Sequence, residues 1–438
     1  MFGLFKSKPP LSPWEKAWTE NRMGWMASHF GMNSLLDAPT LVSDYAGIPD
    51  VSNKEEATEL LTFIKQWMKF DFDAHLQVFS DTPTLESNAN VSEESLRIEV
   101  HEKHFQDRDA LIAIVARQLA QQAVVGTVIQ NEGWAIDLYP AFCGLGIFAA
   151  NATLRSTGKS DGLSWWTTQQ QGYLPSRIFG YALALRHTVR GDANTEWSSV
   201  LRQDALVAFE EGVTYLEKTK DTVFNRDLLT KPREGISQEA LLEELRTGSP
   251  SLRIAAMWAF NKRAVSGETI DNPKLVDLVM DCLRHKEPEV RAVAASTLPR
   301  YDLSATAAQE IGDALRDRND KVRISAAEAM GAFVGVEDEI RVTELTDALK
   351  DDVRLVVFNA AKSLTAYGEA AEPASKMLLQ RLRRSLNECR DDDSRTILWA
   401  INAISSNPTA KLEEFFGEQD GEYLAFSKEL LEEVNQPA

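Results

Sequence analysis

The chain has 438 residues, of which 44% are hydrophobic and 26% are charged, and its formal net charge is −19. This length predicts two or three domains with ample cores, and the sequence contains no uninterrupted run of 18 apolar residues that could span a bilayer. The negative charge repels phosphate backbones and anionic lipid, so it argues against non-specific binding to nucleic acid or membranes.

The N-terminal segment and the cysteines of the sequence favour a cytoplasmic protein. The apolar start is four residues long and is interrupted by Lys6 and Lys8, which is too short for the apolar core of a signal peptide. The cysteines Cys143, Cys282 and Cys389 lie far apart without paired spacing. We therefore expect reduced thiols and no disulfide framework.

The first half of the chain, residues 1–225, is predicted to be a helix-rich α+β domain. Helical patterns cover residues 13–30, 54–69, 109–125, 134–153, 176–190 and 197–218. Between residues 75 and 101, the segments "HLQVFSD" and "SLRIEVH" alternate apolar and polar side chains, as half-buried strands do. A small sheet is therefore expected immediately before the helix at 109–125.

That helix, "DALIAIVARQLAQQAVVG", is apolar around most of its circumference except at mid-length, where Arg117, Gln118, Gln121 and Gln122 occur together. At about 100° per residue these four positions spread over roughly 140° of the helix surface. An unpaired buried guanidinium or amide costs several kcal/mol. The polar cluster is therefore expected to face either a cleft or a buried polar network.

A small sheet followed by such a helix resembles the zincin metallopeptidases, in which the helix carries His-Glu-x-x-His. The corresponding residues here run from Arg117 to Gln121, "RQLAQ". The segment "NEGWAIDLYPAFCGLGIF" resembles the downstream zincin helix with its Glu-x-x-x-Asp context, with Gly133 at the ligand position and Asp137 retained. The strings "DLYPAFCGLGIFAAN" and "GYLPSRIFGYALAL" also resemble zincin-like domains of bacterial proteins.

The resemblance implies that Arg117 and Gln121 replace the two histidine ligands, that Gln118 replaces the general base, and that Asp137 remains behind the lost ligands. A guanidinium in the metal position would repel zinc. We therefore expect a pseudoenzyme that binds no metal or other cofactor.

Two further groups of residues are candidate sites. His101 and His104 in "HEKH" are three residues apart, which is not the zinc-binding spacing, so a polar strand-to-helix turn is expected there. Trp165, Trp166 and Tyr173 belong to an aromatic, amide-rich loop beside the expected cleft. This loop either contacts a partner or peptide or anchors itself by its aromatic side chains.

The second half of the chain, residues 238–438, repeats a helical unit. Five helices open on similar segments: "SPSLRIAAMWAF", "EPEVRAVAASTL", "NDKVRISAAEAM", "KDDVRLVVFNAAKSL" and "DDDSRTILWAINAI". Their arginines are separated by 38, 32, 31 and 41 residues, and they are Arg253, Arg291, Arg323, Arg354 and Arg395. An amphipathic helix precedes each segment. This period predicts stacked helical hairpins.

These units resemble HEAT repeats of the short bacterial type. The resemblance implies an α-solenoid with a long groove. The segment 409–435 is expected to be a terminal helical cap with a polar outer face, and the polar, proline-containing sequence at 226–237 is expected to be the junction with the first domain. The five arginines are expected to pair with turn aspartates between repeats; the alternative is that they line a ligand groove. The basic segment "RLRRSLNECR" at 381–390 is followed by three aspartates and is expected to be a solvated helix face.

Together these patterns predict a non-catalytic scaffold or adaptor that binds protein partners through the solenoid groove, without nucleic acid or membrane. One alternative is a hydrolase that uses a non-standard site in the N-terminal cleft. A second alternative, a nucleic-acid-binding solenoid, is disfavoured by the acidic composition.

Overall fold

The computed structural model describes residues 8–80, 96–152, 155–157, 167–169, 174–224, 235–268, 270, 272–417 and 420–434. The chain divides into two compact units, Met1–Ile236 (unit 1) and Ser237–Ala438 (unit 2). The division falls within the junction predicted at 226–237. The structure is mainly helical, and within its described part no helix is both long and apolar enough to cross a bilayer.

Unit 1 combines helices with two small sheets. Its helices are α1 Pro13–Phe30, α2 Met32–Leu36, α3 Lys54–Trp67, α4 Arg108–Ala123, α5 Gly133–Phe142, α6 Gly146–Ala152, α7 Ser176–Arg190 and α8 Gln203–Thr219. Its strands are β1 Ala74–Phe79, β2 Leu96–His101, β3 Arg155–Thr157 and β4 Thr167–Gln169. Short 3-10 helices occupy Glu102–Gln106 and Glu196–Val200.

The first sheet is a parallel pair of β1 and β2, in which Leu76 lies opposite Ile98. Leu76, Ile98 and Val100 are buried, as the alternating pattern predicts. Helix α3 packs against β1, and α4 packs against β2. The sheet and α3 therefore position α4. The strands β3 and β4 form a separate antiparallel pair.

The helix predicted at 134–153 is divided into α5 and α6. Gly144 has a φ of 92°, its N–H donates to Ala141 O, and the N–H of Leu145 donates to Pro140 O over 2.8 Å. These bonds form the glycine-terminated ending typical of α-helices. A Cβ at residue 144 would lie 2.3 Å from Pro39 O, so a side chain does not fit there. Because the sequence around Gly144 is continuously apolar, its pattern does not predict this break between helices.

The helices α7 and α8 pack closely and run in the same direction, and the start of α7 contacts the start of α8 through Ser176 and Asp204. A Cβ at Gly180 of α7 would lie 2.1 Å from Ala205 O, and a Cβ at Gly212 of α8 would lie 2.9 Å from the Cβ of Ala184. Glycine at both positions therefore lets the two backbones approach.

A buried polar network attaches α1 to α7 and to the end of α8. Lys16 and Glu20 are almost completely buried and form an ion pair of 2.9 Å. The Tyr181 hydroxyl donates to Glu20 Oε1 over 2.7 Å, and the N–H of Val223 donates to Glu20 Oε2 over 2.8 Å. The hydrogen bonds offset the cost of burying these charges.

Unit 2 is built from consecutive helix pairs. The first helices of the pairs are α9 Gln238–Thr247, α11 Pro273–Leu283, α13 Ala305–Ala314, α15 Asp338–Ala348, α17 Ser375–Asn387 and α19 Pro408–Phe416. The second helices are α10 Pro250–Val265, α12 Pro288–Thr297, α14 Asp320–Ala329, α16 Arg354–Ala366, α18 Asp391–Ile404 and α20 Gly421–Val434. The terminal cap predicted at 409–435 is the last pair, α19 and α20.

Local sequence explains why these helices begin where they do. The side chains of Ser237, Ser249, Asn272, Ser304 and Asn319 accept hydrogen bonds from backbone N–H groups in the first turns of α9, α10, α11, α13 and α14. Proline occupies the first helical position of α10, α11, α12 and α19.

Each second helix packs on the second helix of the next pair, from α10 to α20. Four of them bury two adjacent alanines that are at most 1% exposed: Ala255 and Ala256, Ala294 and Ala295, Ala326 and Ala327, and Ala360 and Ala361. Small side chains at this repeated position bring the stacked helices close together. The core of unit 2 is therefore continuous along the stack.

Candidate functional site

Arg117 on α4 forms an ion pair with Asp137 on α5. Its Nε lies 2.6 Å from Asp137 Oδ1, and the Asp137 side chain is only 3% exposed. The other carboxylate oxygen, Oδ2, accepts a hydrogen bond from the N–H of Leu174 over 3.0 Å. Arg117 therefore supplies the positive charge that a buried carboxylate requires.

Gln118 caps the edge of the parallel sheet. The N–H of Leu96 in β2 donates to Asp73 O, so the even-numbered residues of β2 turn their backbone groups toward β1 and Glu99 turns away. The Gln118 amide fills that outer edge, with Nε2 donating to Glu99 O over 2.8 Å and Oε1 accepting from Glu99 N over 2.9 Å.

The structure thus separates the members of the polar cluster on α4. Arg117 and Gln118 are half-buried and contact other elements, whereas Gln121 and Gln122 are exposed. Gly133, the position of the third ligand in the zincin resemblance, begins α5. It lies one helical turn before Asp137.

A cavity of about 210 Å³ adjoins Arg117 and Asp137. Its described lining is mostly apolar and consists of Ala113, Ile114, Arg117, Gln118, Asp137, Pro140, Ala149, Ala152 and Phe179. The ionisable groups in this lining are the paired Arg117 and Asp137. The cavity can accept an apolar group, but this lining supplies no nucleophile with an adjacent base.

The other sequence candidates in unit 1 have different surroundings. His101 ends β2, and its Nδ1 accepts a hydrogen bond from the N–H of Lys103 over 3.1 Å, at the start of the 3-10 helix that also contains His104. Trp165, Trp166 and Tyr173 lie outside the described residues. Within the described ranges, no group of three or more His, Cys, Asp or Glu side chains is arranged to hold a metal ion.

In unit 2, two of the five repeat arginines form bidentate ion pairs with an aspartate of the following repeat. Arg291 Nε and Nη2 lie 2.7 and 2.8 Å from the carboxylate of Asp317, and Arg323 Nε and Nη2 lie 2.7 and 3.2 Å from that of Asp351. Both aspartates also accept a backbone N–H at the start of the next helix. Each carboxylate therefore connects two repeats.

These contacts change the acidity of the two aspartates. Burial by itself would raise the pKa of Asp317 and Asp351, but the hydrogen bonds from the arginines and from the backbone outweigh it. The pKa of each carboxyl group is therefore below its usual value.

The remaining arginines have other partners. Arg354 Nε lies 2.7 Å from Asp393 at the start of α18, and Arg395 Nη1 lies 2.5 Å from Glu433 in α20 rather than from a turn aspartate. Arg253 donates to the carbonyl oxygens of Arg246 and Gly248, which belong to its own helix pair.

A second cavity, of about 50 Å³, lies between α16, α17 and α18 and was not predicted from the sequence. Its lining includes Arg354, Val357, Phe358, Ile397 and three arginines of the basic segment 381–390: Arg381, Arg384 and Arg390. Arg384 and Arg390 are exposed, as expected of a solvated helix face. The dense arginines are the sequence signal for the cavity, but its apolar wall comes from the neighbouring helices α16 and α18 and forms only when the helices pack.

The stacked helix pairs make unit 2 a helical-repeat structure. Residues 239–331 match the family of HEAT repeats. The matched segment covers α9 to α14, so the predicted HEAT-repeat region in the second half of the chain is confirmed there. A comparison with curated proteins finds no match.

Proposed function

We propose that this protein is a non-catalytic scaffold that binds other proteins through unit 2, and that unit 1 is a zincin-like domain that has lost its metal ligands. HEAT repeats commonly mediate protein interactions, and residues 239–331 match that family. The acidic chain is a poor partner for nucleic acid.

The observation that carries the proposal is the exposed face of the stacked second helices. Large apolar side chains remain exposed on this face, including Leu355, Phe358 and Trp399 on the adjacent helices α16 and α18. Exposed apolar groups that lie together on a repeat surface are typical of protein-binding sites.

The zincin-like part of the proposal is supported by the contact between α4 and α5. Metal-bound histidines commonly donate their second N–H to a carboxylate. Asp137 accepts in this way from Arg117, the residue at the first histidine position of the resemblance. The alternative, a hydrolase in the same cavity, has no comparable support, because the ionisable groups of the described lining are engaged with each other.

The proposal is tested by site-specific photo-cross-linking in the source cells. Benzoylphenylalanine is placed at Ser296, Glu328 or Leu355, which are exposed on second helices, and as a matched control at Gln309 or Thr343, which are exposed on first helices. We expect discrete cross-linked proteins from the second-helix positions and none from the controls. Equal labelling from both faces, or none from either, would contradict a binding role for the second-helix face.

A further inference from the structure

We infer that the surface formed by α16, α17 and α18 binds a partner segment in which an aspartate or glutamate side chain lies beside large apolar side chains. This surface, the docking patch, consists of Leu355, Phe358 and Trp399 together with the cavity that Phe358 lines. The inference rests on the proposed function, because it specifies which part of unit 2 holds the partner and what the partner offers.

The apolar part of the docking patch is confined to two neighbouring repeats. Leu355 is 55% exposed, Phe358 is 37% exposed, and they are three residues apart on one side of α16. Trp399, which is 42% exposed, lies on α18, and α18 packs directly against α16. By contrast, α12 and α14 expose Ser296 and Glu328. Among the described residues of the second helices, the other exposed large apolar side chain is Val265, at the end of α10. The exposed apolar side chains are therefore concentrated on α16 and α18.

The cavity is continuous with this apolar area. Phe358 forms part of its wall. Thr396 also lines the cavity and lies three residues before Trp399, on the same side of α18. A bound segment that covers Phe358 and Trp399 would therefore bring a neighbouring side chain to the mouth of the cavity.

Charge favours a carboxylate at that mouth. Four guanidinium groups line the cavity, those of Arg354, Arg381, Arg384 and Arg390, together with the carboxylates of Asp351, Asp352, Glu388 and Asp393. Asp351 already forms a bidentate ion pair with Arg323 of the preceding repeat. Four positive groups therefore face three available carboxylates, in a chain whose net charge is −19.

The arginines that would meet the ligand are held weakly. Arg384 and Arg390 each lie 3.0 Å from Glu388, and all three side chains are about one-third or more exposed. Exposed ion pairs of this kind contribute little to stability. A ligand carboxylate can therefore take the place of Glu388 at small cost and gain two-pronged hydrogen bonds from a guanidinium.

A single carboxylate fits this surface better than a polyanion does. Asp391 and Asp392 are exposed in the first turn of α18, beside the cavity. Solvent and salt screen these two exposed charges, so they weaken the binding of one carboxylate inside the cavity only modestly, whereas successive phosphates along the surface would meet their repulsion repeatedly. This charge pattern favours a peptide over a nucleic acid.

The test uses two pools of nine-residue peptides, each labelled with fluorescein and amidated. The first pool has glutamate at the centre, flanked on each side by positions drawn from leucine, isoleucine, phenylalanine and tryptophan, with glycine or serine elsewhere. The second pool has glutamine at the centre. We expect the full chain to bind the glutamate pool with a dissociation constant of about 50 µM or tighter and the glutamine pool about ten-fold more weakly.

Protein variants locate the binding. The double variant Arg384→Gln and Arg390→Gln is expected to lose about ten-fold in affinity for the glutamate pool and little for the glutamine pool, and Trp399→Ala is expected to weaken both. Matched controls are Arg246→Gln and Val265→Ala, which change exposed side chains elsewhere in unit 2. Circular dichroism verifies that each variant is folded, and the exchange of glutamate for glutamine in the peptide tests the charge without altering the protein.

Equal binding of the two pools, no binding of either, or equal losses in the controls would overturn the inference. So would tighter binding of a twelve-nucleotide single-stranded DNA with the same dependence on Arg384 and Arg390. Cross-linking separates this failure from failure of the proposed function. Labelling from Ser296 or Glu328, without labelling from benzoylphenylalanine at Leu355 or Trp399, would keep the scaffold and reject the docking patch.

Discussion

Arg117 balances the negative charge of Asp137 beside the cavity of unit 1. Its guanidinium is one-third exposed, whereas its partner Asp137 is almost completely buried. A buried carboxylate that loses its positive partner costs several kcal/mol. A histidine at position 117 that holds a metal would donate a hydrogen bond to the same carboxylate. The contact between α4 and α5 is therefore compatible with either a guanidinium or a metal-bound imidazole.

This geometry gives a prediction about restoring a metal site. Gln121 lies one turn after Arg117 on α4, and Gly133 lies one turn before Asp137 on α5, so the two positions lie on the same side of the observed ion pair. We expect the variant Arg117→His, Gln118→Glu, Gln121→His and Gly133→Glu to bind zinc with about micromolar affinity or better, and the parent not to bind it.

Zinc titration of the purified variant, monitored with a competing chromophoric chelator, measures this affinity. Each single replacement is the matched control and is expected to bind no better than the parent. A quadruple variant that remains folded and binds no zinc would show that positions 117, 121 and 133 do not converge. The zincin-like interpretation would then be abandoned. Peptidase activity is not expected, because a loosely supported site can hold metal without catalysis.

The sequence identified the polar residues of α4, and the zincin resemblance placed Asp137 behind them. The backbone of Glu99, the partner of Gln118, was not predicted, because only tertiary packing brings the edge of β2 to that helix. Arg341 was missed for the same reason. It is completely buried beside Glu344, in a helix whose amphipathic pattern gives no sign of a buried arginine.

At the scale of the helix pair, Asp317 and Asp351 link protonation to stability. Their pKa values are lowered in the folded chain, so each carboxylate contributes stability above its ordinary pKa near 4, and this contribution is lost as the pH falls through the lower folded value. We expect the double variant Asp317→Asn and Asp351→Asn to be less stable than the parent by about 3 kcal/mol at pH 7. This difference is expected to shrink as the pH is lowered from about 4 to about 2.5.

Urea denaturation at a series of pH values, followed by circular dichroism, measures this difference in unfolding free energy. The matched control is Asp347→Asn, because Asp347 is exposed and pairs with Lys350, which lies just beyond the end of the same helix. It is expected to change stability little at any pH. A difference between parent and double variant that stayed constant from pH 7 to pH 2.5 would mean that the ion pairs do not stabilise the stack.

The helix pairs were predictable from sequence because the signals that define them are local. Capping residues such as Ser249 and Asn319, and an arginine four residues later, recur at a nearly regular interval. The break between α5 and α6 was not predictable in this way. Gly144 lies within a continuous apolar segment, and the carbonyl that excludes a side chain there belongs to Pro39, more than 100 residues away in sequence. The parallel pairing of β1 and β2 is likewise a tertiary feature.

At the scale of the whole molecule, the two units obtain their stability from different kinds of contact. In unit 1 the stabilising contacts join residues far apart in sequence, such as Glu20 with Tyr181 and Arg22 with Glu132. In unit 2 they join each helix pair to the next, as Arg323 and Asp351 do. Contacts between neighbouring repeats make the stability of a solenoid approximately a sum of local terms.

This difference predicts that unit 2 folds without unit 1. A fragment that begins near Glu234 retains Ser237, whose side chain caps α9, and ends on α20, whose exposed side includes Glu422 and Glu429. We expect the fragment to be soluble and helical by circular dichroism, and to unfold in urea at the same midpoint as one transition of the full chain. A second fragment that begins at Asn272, and so lacks α9 and α10, is expected to stay folded but to unfold at a lower urea concentration, because one repeat interface is lost. If the first fragment is unfolded or aggregates while the full chain is stable, unit 2 requires residues of unit 1 as its N-terminal cap, and the chain is one folding unit rather than a scaffold with an independent solenoid.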